Sequence, residues 1–99
     1  MPKQFCVYIL ASDKNGTLYI GVTSNLTQRI WQHKNKVVDG FTKNYDVNKL
    51  VYYEVHETVE STLRREKRLK FWQRNWKKDL IESFNPQWKD LYNEIAISV

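Results

Sequence analysis

The chain has 99 residues, of which 41% are hydrophobic and 14% aromatic, and it carries a net charge of +5 with a pI of about 9.4. This length and composition predict one globular domain over residues 1–99, which needs neither disulfides nor a structural metal. No apolar run approaches the length of a transmembrane helix and no signal-peptide pattern is present, so we expect no membrane association. The single cysteine, Cys6, cannot form an internal disulfide and lacks a companion with zinc-ligand spacing, which favours a reducing compartment such as the cytoplasm.

Two strand-like segments near the N-terminus, residues 7–9 (VYI) and 19–21 (YIG), flank an Asn-Gly pair at residues 15–16. Asn-Gly between apolar segments is typical of a two-residue hairpin turn, and this turn would place Tyr8 opposite Thr23. One face of the hairpin is then wholly apolar and is the predicted core, while the other gathers the phenols of both tyrosines beside a glycine. Tyrosine is also favoured in strands for packing alone, so the hairpin by itself is a weak indication of function.

A helix is predicted after the hairpin, because Asn25 and Gln28 have the spacing of a capping box. Its inward positions are Leu26, Ile30, His33 and Val37. Residues 39–48 are rich in turn formers and predict a loop, and residues 50–56 (LVYYEVH) predict a third strand.

Three helices are predicted in the remainder of the chain. Thr58 would cap a long helix that ends between Trp72 and Asn75, and residues 76–84 would form the next helix after a bend. Asn85, followed by proline, would cap a short terminal helix. The order β-β-α-β-α-α-α predicts an α/β protein of the α+β type, with a small three-stranded antiparallel sheet flanked by helices.

An acid interrupts the apolar stripe of the predicted long helix, which consists of Val59, Leu63, Glu66 and Leu69. An isolated buried carboxylate is costly, so Glu66 is expected either to pair with an arginine or to bind a cation. The residues alone leave both alternatives open.

Residues 64–78 carry eight cationic side chains, interleaved with three aromatic ones and a single acid. A solvated helix face would mix both signs of charge, so this run favours phosphate as its partner. The predicted phosphate contacts are Lys43, Arg68, Lys70, Arg74, Lys77 and Lys78.

Taken together, these elements resemble the GIY-YIG nuclease superfamily over nearly the whole chain, and within it the small single-domain bacterial endonucleases. Val7 stands in place of the glycine of the first motif, whose tyrosine is kept, and Tyr19-Ile20-Gly21 matches the second motif. At family spacing, the positions of the catalytic residues fall on Tyr8, Tyr19, Arg29, His33, Glu66 and Asn85.

The resemblance implies metal-assisted hydrolysis of DNA phosphodiester bonds, with Glu66 as the ligand of Mg²⁺ or Mn²⁺. Arg29 would hold phosphate oxygens. Tyr19 is the favoured general base, with Tyr8 and His33 as the other candidates, and Asn85 would position the site. The enzyme could be structure-specific and serve DNA repair or recombination.

Two other hypotheses stand beside this one. The first is a nucleic-acid-binding module of the same fold that cuts slowly or not at all. The second is a protein-interaction domain whose docking surface is formed by aromatic residues, namely Phe71, Trp72, Trp76 and Trp88. No recognition helix for base reading is visible, so targeting would depend on a partner protein, on DNA shape or on self-association. The oligomeric state stays open.

Overall fold

The computed structural model describes residues 4–97, and its centre is a three-stranded antiparallel sheet in the order β2-β1-β3. β1 (Phe5–Ala11) lies between β2 (Leu18–Thr23) and β3 (Lys49–His56). The helices are α1 (Leu26–Lys34), α2 (Phe41–Asn44), α3 (Val59–Phe71), α4 (Arg74–Phe84) and α5 (Tyr92–Ile97). The predicted α+β fold class is therefore confirmed, with the added short helix α2 inside the predicted loop.

The register of the hairpin differs from the predicted one by two residues. Tyr8 lies opposite Gly21 rather than Thr23, and residues 12–17 form the connection between β1 and β2. A two-residue turn of the Asn-Gly type needs positive φ at both positions, whereas Asn15 has φ 58° and Gly16 is not in that region. Because a slip of two residues returns each side chain to its own face, the predicted faces are kept.

Both faces of the sheet are buried. On one face Val7 and Ile9 pack with Leu69 of α3, as predicted for the core. On the other face Tyr8 packs with Ile30 of α1 and with the segment before α5. Helices therefore pack on both faces of β1.

α1 begins as predicted, since the Asn25 side-chain oxygen accepts a hydrogen bond from the Gln28 N–H at 3.2 Å. The helix ends at Lys34, and Lys36 then adopts a left-handed conformation with φ 56°. Val37 is 58% exposed, so its predicted inward position is wrong.

α3 is capped by Thr58 as predicted, with its hydroxyl oxygen accepting the Ser61 N–H at 3.1 Å. The inward positions are Thr62 and Leu69, whereas Val59 and Leu63 of the predicted stripe are exposed. Thr62 can be buried because its hydroxyl donates to the Thr58 carbonyl at 2.7 Å, which satisfies the polar group locally.

The terminal helix begins later than predicted. Asn85 is the C-cap of α4, and α5 starts only at Tyr92, whose N–H donates to the Asp90 carboxylate at 3.1 Å. The Asn85 amide does not cap a helix start, because it donates to the carbonyls of Val51 and Lys89. Within residues 4–97 no helix has the length and apolarity needed to cross a membrane.

Candidate active site

A glycine on the edge strand makes room for the phenol of Tyr8. A Cβ atom on Gly21 would lie 2.5 Å from both the Cζ and the Oη of Tyr8, so a side chain there would displace the ring. The Tyr19 ring, with its centroid 6.3 Å from that of Tyr8, lies on the other side of the same glycine position. The two tyrosines of the hairpin are thus neighbours on one face of the sheet.

His33 of α1 connects this tyrosine pair to α2. Its Nε2 lies 3.0 Å from the Tyr8 Oη, and its Nδ1 lies 3.0 Å from the Thr42 Oγ1. In one tautomer Nδ1 donates to Thr42 and Tyr8 donates to Nε2, and in the other both directions are reversed. Either way, a neutral imidazole has both ring nitrogens hydrogen-bonded while only 3% of the residue is exposed.

Burial determines the protonation state of both groups. Desolvation, with a smaller effect of the Arg29 cation, lowers the pKa of His33 to about 4. Desolvation also raises the pKa of Tyr8 above its ordinary value, and the Tyr19 phenol and the Glu66 carboxylate raise it further, whereas Arg29 lowers it. At neutral pH the two groups are therefore a neutral imidazole and a neutral phenol.

The charges of Arg29 and Glu66 affect the pKa of Tyr8 in this cluster. Arg29 lies one turn before His33 on α1 and acts on the pKa of both His33 and Tyr8. Glu66 belongs to α3, which packs on the opposite face of the sheet from α1, so α3 does not cover the tyrosine face. The Glu66 carboxylate nevertheless contributes to the raised pKa of Tyr8, and α3 contacts both β1 and β2.

Glu66 pairs with a lysine rather than with the arginine considered above. Its side chain is 17% exposed, and one carboxylate oxygen lies 3.3 Å from the Nζ of Lys70, four residues later on α3. No group of three or more His, Cys, Asp or Glu side chains suited to a metal occurs between residues 4 and 97. Any metal here would therefore rely on one protein carboxylate, with its other ligands from water or substrate, which is a donor set that Mg²⁺ accepts.

The side chain of Asn85 is hydrogen-bonded to backbone groups rather than to another predicted site residue. It is 5% exposed, and its amide donates to the carbonyls of Val51 at 3.1 Å and Lys89 at 2.8 Å while its oxygen accepts the Lys89 N–H. These bonds join the end of α4 to β3 and to the segment that follows. Its predicted role in positioning the site would be exerted through this backbone connection.

The predicted phosphate-contact residues have different surroundings. Lys43 pairs with Asp39 at 3.4 Å, and the Nζ of Lys77 donates to the Lys70 carbonyl at 3.4 Å. Arg74 donates through Nη2 to the carbonyls of Asn15 and Gly16, at 2.8 and 2.7 Å, so its guanidinium holds the β1–β2 loop. Arg68 lines a groove, Lys70 is paired with Glu66, and Lys78 is half-buried on α4.

An aromatic cluster beside the site was not identified from the sequence. The ring of Phe41 stacks on Tyr19 with centroids 6.5 Å apart, and the ring of Tyr45 lies 4.9 Å from Phe41. Phe41 is 44% and Tyr45 62% exposed. Little in the sequence indicates this cluster, because both residues lie in the segment 39–48, whose turn formers predict a loop.

A second polar network, also missed, occupies the other edge of the sheet. Glu54 of β3 accepts hydrogen bonds from Tyr52 and from the Nε of Arg65, and it lies 2.8 Å from the Nε2 of His56. Burial alone would raise the pKa of Glu54, but the hydrogen bonds from these neighbours and the Arg65 charge lower it. Burial together with the bond to Glu54 raises the pKa of Tyr52 to about 12. Alternation along β3 was an available signal, since residues 52, 54 and 56 share a face of a regular strand.

The comparisons with known proteins agree on one family. The sequence model of the GIY-YIG catalytic domain matches residues 4–79. A UPF0213 protein of Clostridium perfringens is 37% identical over 91 residues, which cover 92% of this chain and 97% of that protein. A UPF0213 protein from the VLF1-GP41 intergenic region of Autographa californica nuclear polyhedrosis virus is 51% identical over 63 residues, covering 64% of this chain and 60% of that protein.

A solved structure and a named nuclease subunit are also similar to the chain. The solution NMR structure of a UPF0213 protein from Bacillus halodurans matches with a TM-score of 0.55 and 25% identity, covering 88% of this chain and 92% of that one. The structure-specific endonuclease subunit slx1 of Aspergillus fumigatus is 36% identical over 80 residues. This match covers 77% of the present chain but only 19% of that subunit.

Proposed function

Because this chain belongs to the GIY-YIG nuclease family, we propose that it is a divalent-metal-dependent endonuclease that hydrolyses phosphodiester bonds of DNA. The observation that carries the proposal is the clustering of Tyr8, Tyr19 and His33, drawn from β1, β2 and α1, with the charges of Arg29 and Glu66 acting on Tyr8. Packing alone does not explain why an arginine and a carboxylate both act on the pKa of a buried phenol.

Glu66 is the residue that would hold the metal. A bound Mg²⁺ or Mn²⁺ would stabilise negative charge on the phosphate and on the leaving oxygen. Lys70 competes for the same carboxylate, and at 55% exposure its side chain can move into solvent at little cost.

Arg29 would hold the phosphate that is cut. Its planar guanidinium can donate two parallel hydrogen bonds to non-bridging oxygens, which a lysine cannot do. Its positive charge also lies close to both His33 and Tyr8, so a phosphate bound there would sit beside the phenols.

The protonation states distinguish the two tyrosines. Tyr8 is buried, its pKa is raised and its hydroxyl is bonded to His33, so it serves better as an orienting group than as a base. A His33 pKa of about 4 likewise makes the imidazole a weak proton acceptor at neutral pH. Tyr19 is more exposed than Tyr8, and we retain it as the proposed base for the attacking water.

The substrate and its setting are also proposals. The slx1 relative is named as a subunit of a structure-specific endonuclease, and a branched or flapped DNA is the substrate we propose here, in DNA repair or recombination. Targeting by a partner protein is part of the same proposal, because the slx1 relative is named as a subunit. A buried, unpaired Cys6 fits a reducing compartment such as the cytoplasm.

A nicking assay on branched DNA, with and without Mg²⁺, tests the activity. We expect the wild-type protein to nick in Mg²⁺, and the Glu66→Gln variant to lose this activity by orders of magnitude while binding DNA equally well or more tightly. The binding should be kept because the substitution removes a negative charge that faces phosphate.

Glu60→Gln is the matched control, because it makes the same chemical change at an exposed position in the first turn of the same helix. It should nick like the wild type. Equal nicking by Glu66→Gln would assign Glu66 a structural role. Binding of branched DNA by the wild type without any Mg²⁺- or Mn²⁺-dependent nicking would favour the non-catalytic binding module instead.

A further inference from the structure

A groove of about 300 Å³ opens beside α3 at the β3 edge of the sheet, away from the tyrosines. It is lined by His56, Ser61, Arg64, Arg65 and Arg68. Its volume lies at the lower end of the roughly 300–1,000 Å³ found for small-molecule sites, and each residue that lines it carries a polar or charged group. The groove therefore suits a small, charged group.

Positive charge in this groove is only partly compensated. Arg65 pairs with Glu54 at 2.8 Å, whereas no ion pair joins Arg64 or Arg68 to another residue in the described part of the chain. Arg64 and Arg68 are four residues apart on one helix, a spacing at which like charges repel. An anion between them would relieve this repulsion.

The wall of the groove is held by hydrogen bonds before any ligand arrives. The Nδ1 of His56 lies 2.9 Å from the Ser61 Oγ, and Glu54 holds both the Nε2 of His56 and the Nε of Arg65. The Arg65 guanidinium also lies over the Trp72 ring, 5.1 Å from its centroid. A site ordered in this way loses little entropy when it binds a ligand.

Helix geometry separates the groove from the tyrosine site. Thr62 and Leu69 mark the buried centre of α3, and successive residues of a helix are rotated by about 100°. On this basis Ser61 and Arg65 flank the centre on the side of β3, while Glu66 flanks it on the side of β2. The groove and Glu66 thus lie at opposite edges of the sheet.

We propose that this groove binds a backbone phosphate of a nucleic-acid segment remote from the phosphate that is cut. The proposal rests on the proposed function. Arginine forks match phosphate geometry, and three of the five residues that line the groove are arginines. The nucleic-acid segment in the groove must be remote from the phosphate that is cut, because α3 lies between the groove and the tyrosine site.

The first test uses inorganic phosphate and needs no DNA. In a ¹H–¹⁵N NMR titration against chloride at equal ionic strength, phosphate should shift the amide signals around Ser61 and Arg65. Arg64→Glu should abolish these shifts. The matched control is Lys67→Glu, which makes the same charge change at an exposed position of the same helix outside the groove and should keep them.

The second test compares a small and a large DNA in the Glu66→Gln background, where no cutting interferes. A hairpin with about six base pairs, roughly 20 Å long at 3.4 Å per step, covers only part of the 35 Å molecule. Arg64→Glu should weaken binding of a four-armed junction about tenfold. The slope of log affinity against log salt concentration should also become shallower by about 0.9, which corresponds to one phosphate contact. Binding of the short hairpin should change no more than in Lys67→Glu.

Each outcome bears on a different claim. If inorganic phosphate does not shift the amide signal of Ser61, the groove is not a phosphate-binding site. If Arg64→Glu weakens binding of the hairpin and of the junction equally, the bound segment is not remote and the groove contacts the strand that is cut. A phosphate response in a protein that binds no DNA overturns the assignment to nucleic acid together with the proposed function, whereas junction binding without cutting removes only the nuclease activity.

Discussion

The protonation of His33 makes the free energy of unfolding depend on pH. Its imidazole is buried and neutral, with one nitrogen on Tyr8 and the other on Thr42. In the unfolded chain a histidine has a pKa of about 6.5, so the unfolded state binds a proton in a pH range where the native state does not. The native state is therefore penalised as the pH falls below 6.5.

This shift predicts the direction and size of a pH effect. The stabilisation from a neutral His33 should be fully present above pH 6.5 and should be lost progressively down to its native pKa of about 4. Between pH 7.5 and 4.5 the loss should amount to about 2–3 kcal/mol, at 1.36 kcal/mol per unit of pKa. Urea unfolding at the two pH values measures it.

His33→Gln is the comparison variant for this experiment, because a glutamine can bond to Tyr8 but does not titrate. Carboxylates such as Glu54 titrate in both proteins, so their effect cancels in the difference. The variant should lose about 2 kcal/mol less than the wild type over the same interval. Equal losses would mean that His33 is already protonated or exposed in the native state.

At the scale of elements, Arg74 joins α4 to the loop between β1 and β2. Its two bonds to loop carbonyls were not expected from the sequence, which placed Arg74 among the phosphate contacts. Composition identifies a basic run, but it cannot tell which cations face solvent and which find a carbonyl, because that depends on how α4 packs on the sheet. The backbone carbonyl groups of an exposed loop accept hydrogen bonds either from a side chain such as that of Arg74 or from water.

Arg74→Ala should therefore loosen the loop. We expect a loss of about 1 kcal/mol in the free energy of unfolding, which is below the roughly 1.5–3 kcal/mol typical of hydrogen bonds to a charged group because the contact is exposed. Hydrogen exchange of the amides of residues 12–17 should become faster. Lys78→Ala, on the same helix, should leave that exchange unchanged.

The opposite result is equally informative. If Arg74 exchanges its loop bonds for phosphate, Arg74→Ala should weaken DNA binding while leaving loop exchange as it is in the wild type. That pattern would support the sequence-based assignment of Arg74 and contradict the role in holding the loop.

The predictability of the elements follows from the range of the interactions behind them. The caps at Asn25 and Thr58 were predicted correctly because they involve residues within three positions. The cap at Asn85 was predicted wrongly because a contact with β3, 34 residues away, claims its amide. The hairpin register was missed because Ser12, whose hydroxyl accepts the Thr17 N–H at 2.9 Å, stabilises a longer connection than the Asn-Gly pair indicates.

At the scale of the molecule, the two-sided burial of the sheet could not be read from alternation along β1. A strand with apolar residues on one face and Cys6, Tyr8 and Leu10 on the other fits both an open and a covered second face. The second face is covered by α1 and by the segment around Leu91. The pattern of residues in the sequence did not predict this cover. Family resemblance, not periodicity, supplied the expected site residues, and their roles stay predictions.

Leu91 provides a test of this cover. It is 7% exposed and belongs to the same buried cluster as Tyr8, Leu10 and Ile30. Leu91→Ala should lower the free energy of unfolding by about 2–4 kcal/mol, through lost burial and a residual cavity. Urea unfolding measures this loss, and Glu94→Ala, at an exposed position of α5, should change it by less than about 0.5 kcal/mol. A loss that small for Leu91→Ala would show that the segment is not part of the core.

Asp90 ties this segment to the rest of the molecule at three points. Its carboxylate accepts the N–H groups of Leu50 at 3.2 Å and Tyr92 at 3.1 Å, and it pairs with Lys34 at the end of α1. The match to the catalytic-domain sequence model nevertheless ends at residue 79. For protein engineering, the unit to transplant is therefore longer than the unit of homology. A fusion joined at residue 79 would deprive the helix that carries Arg29 and His33 of its contacts with Asp90 and α5, so a chimeric protein should be joined beyond Tyr92.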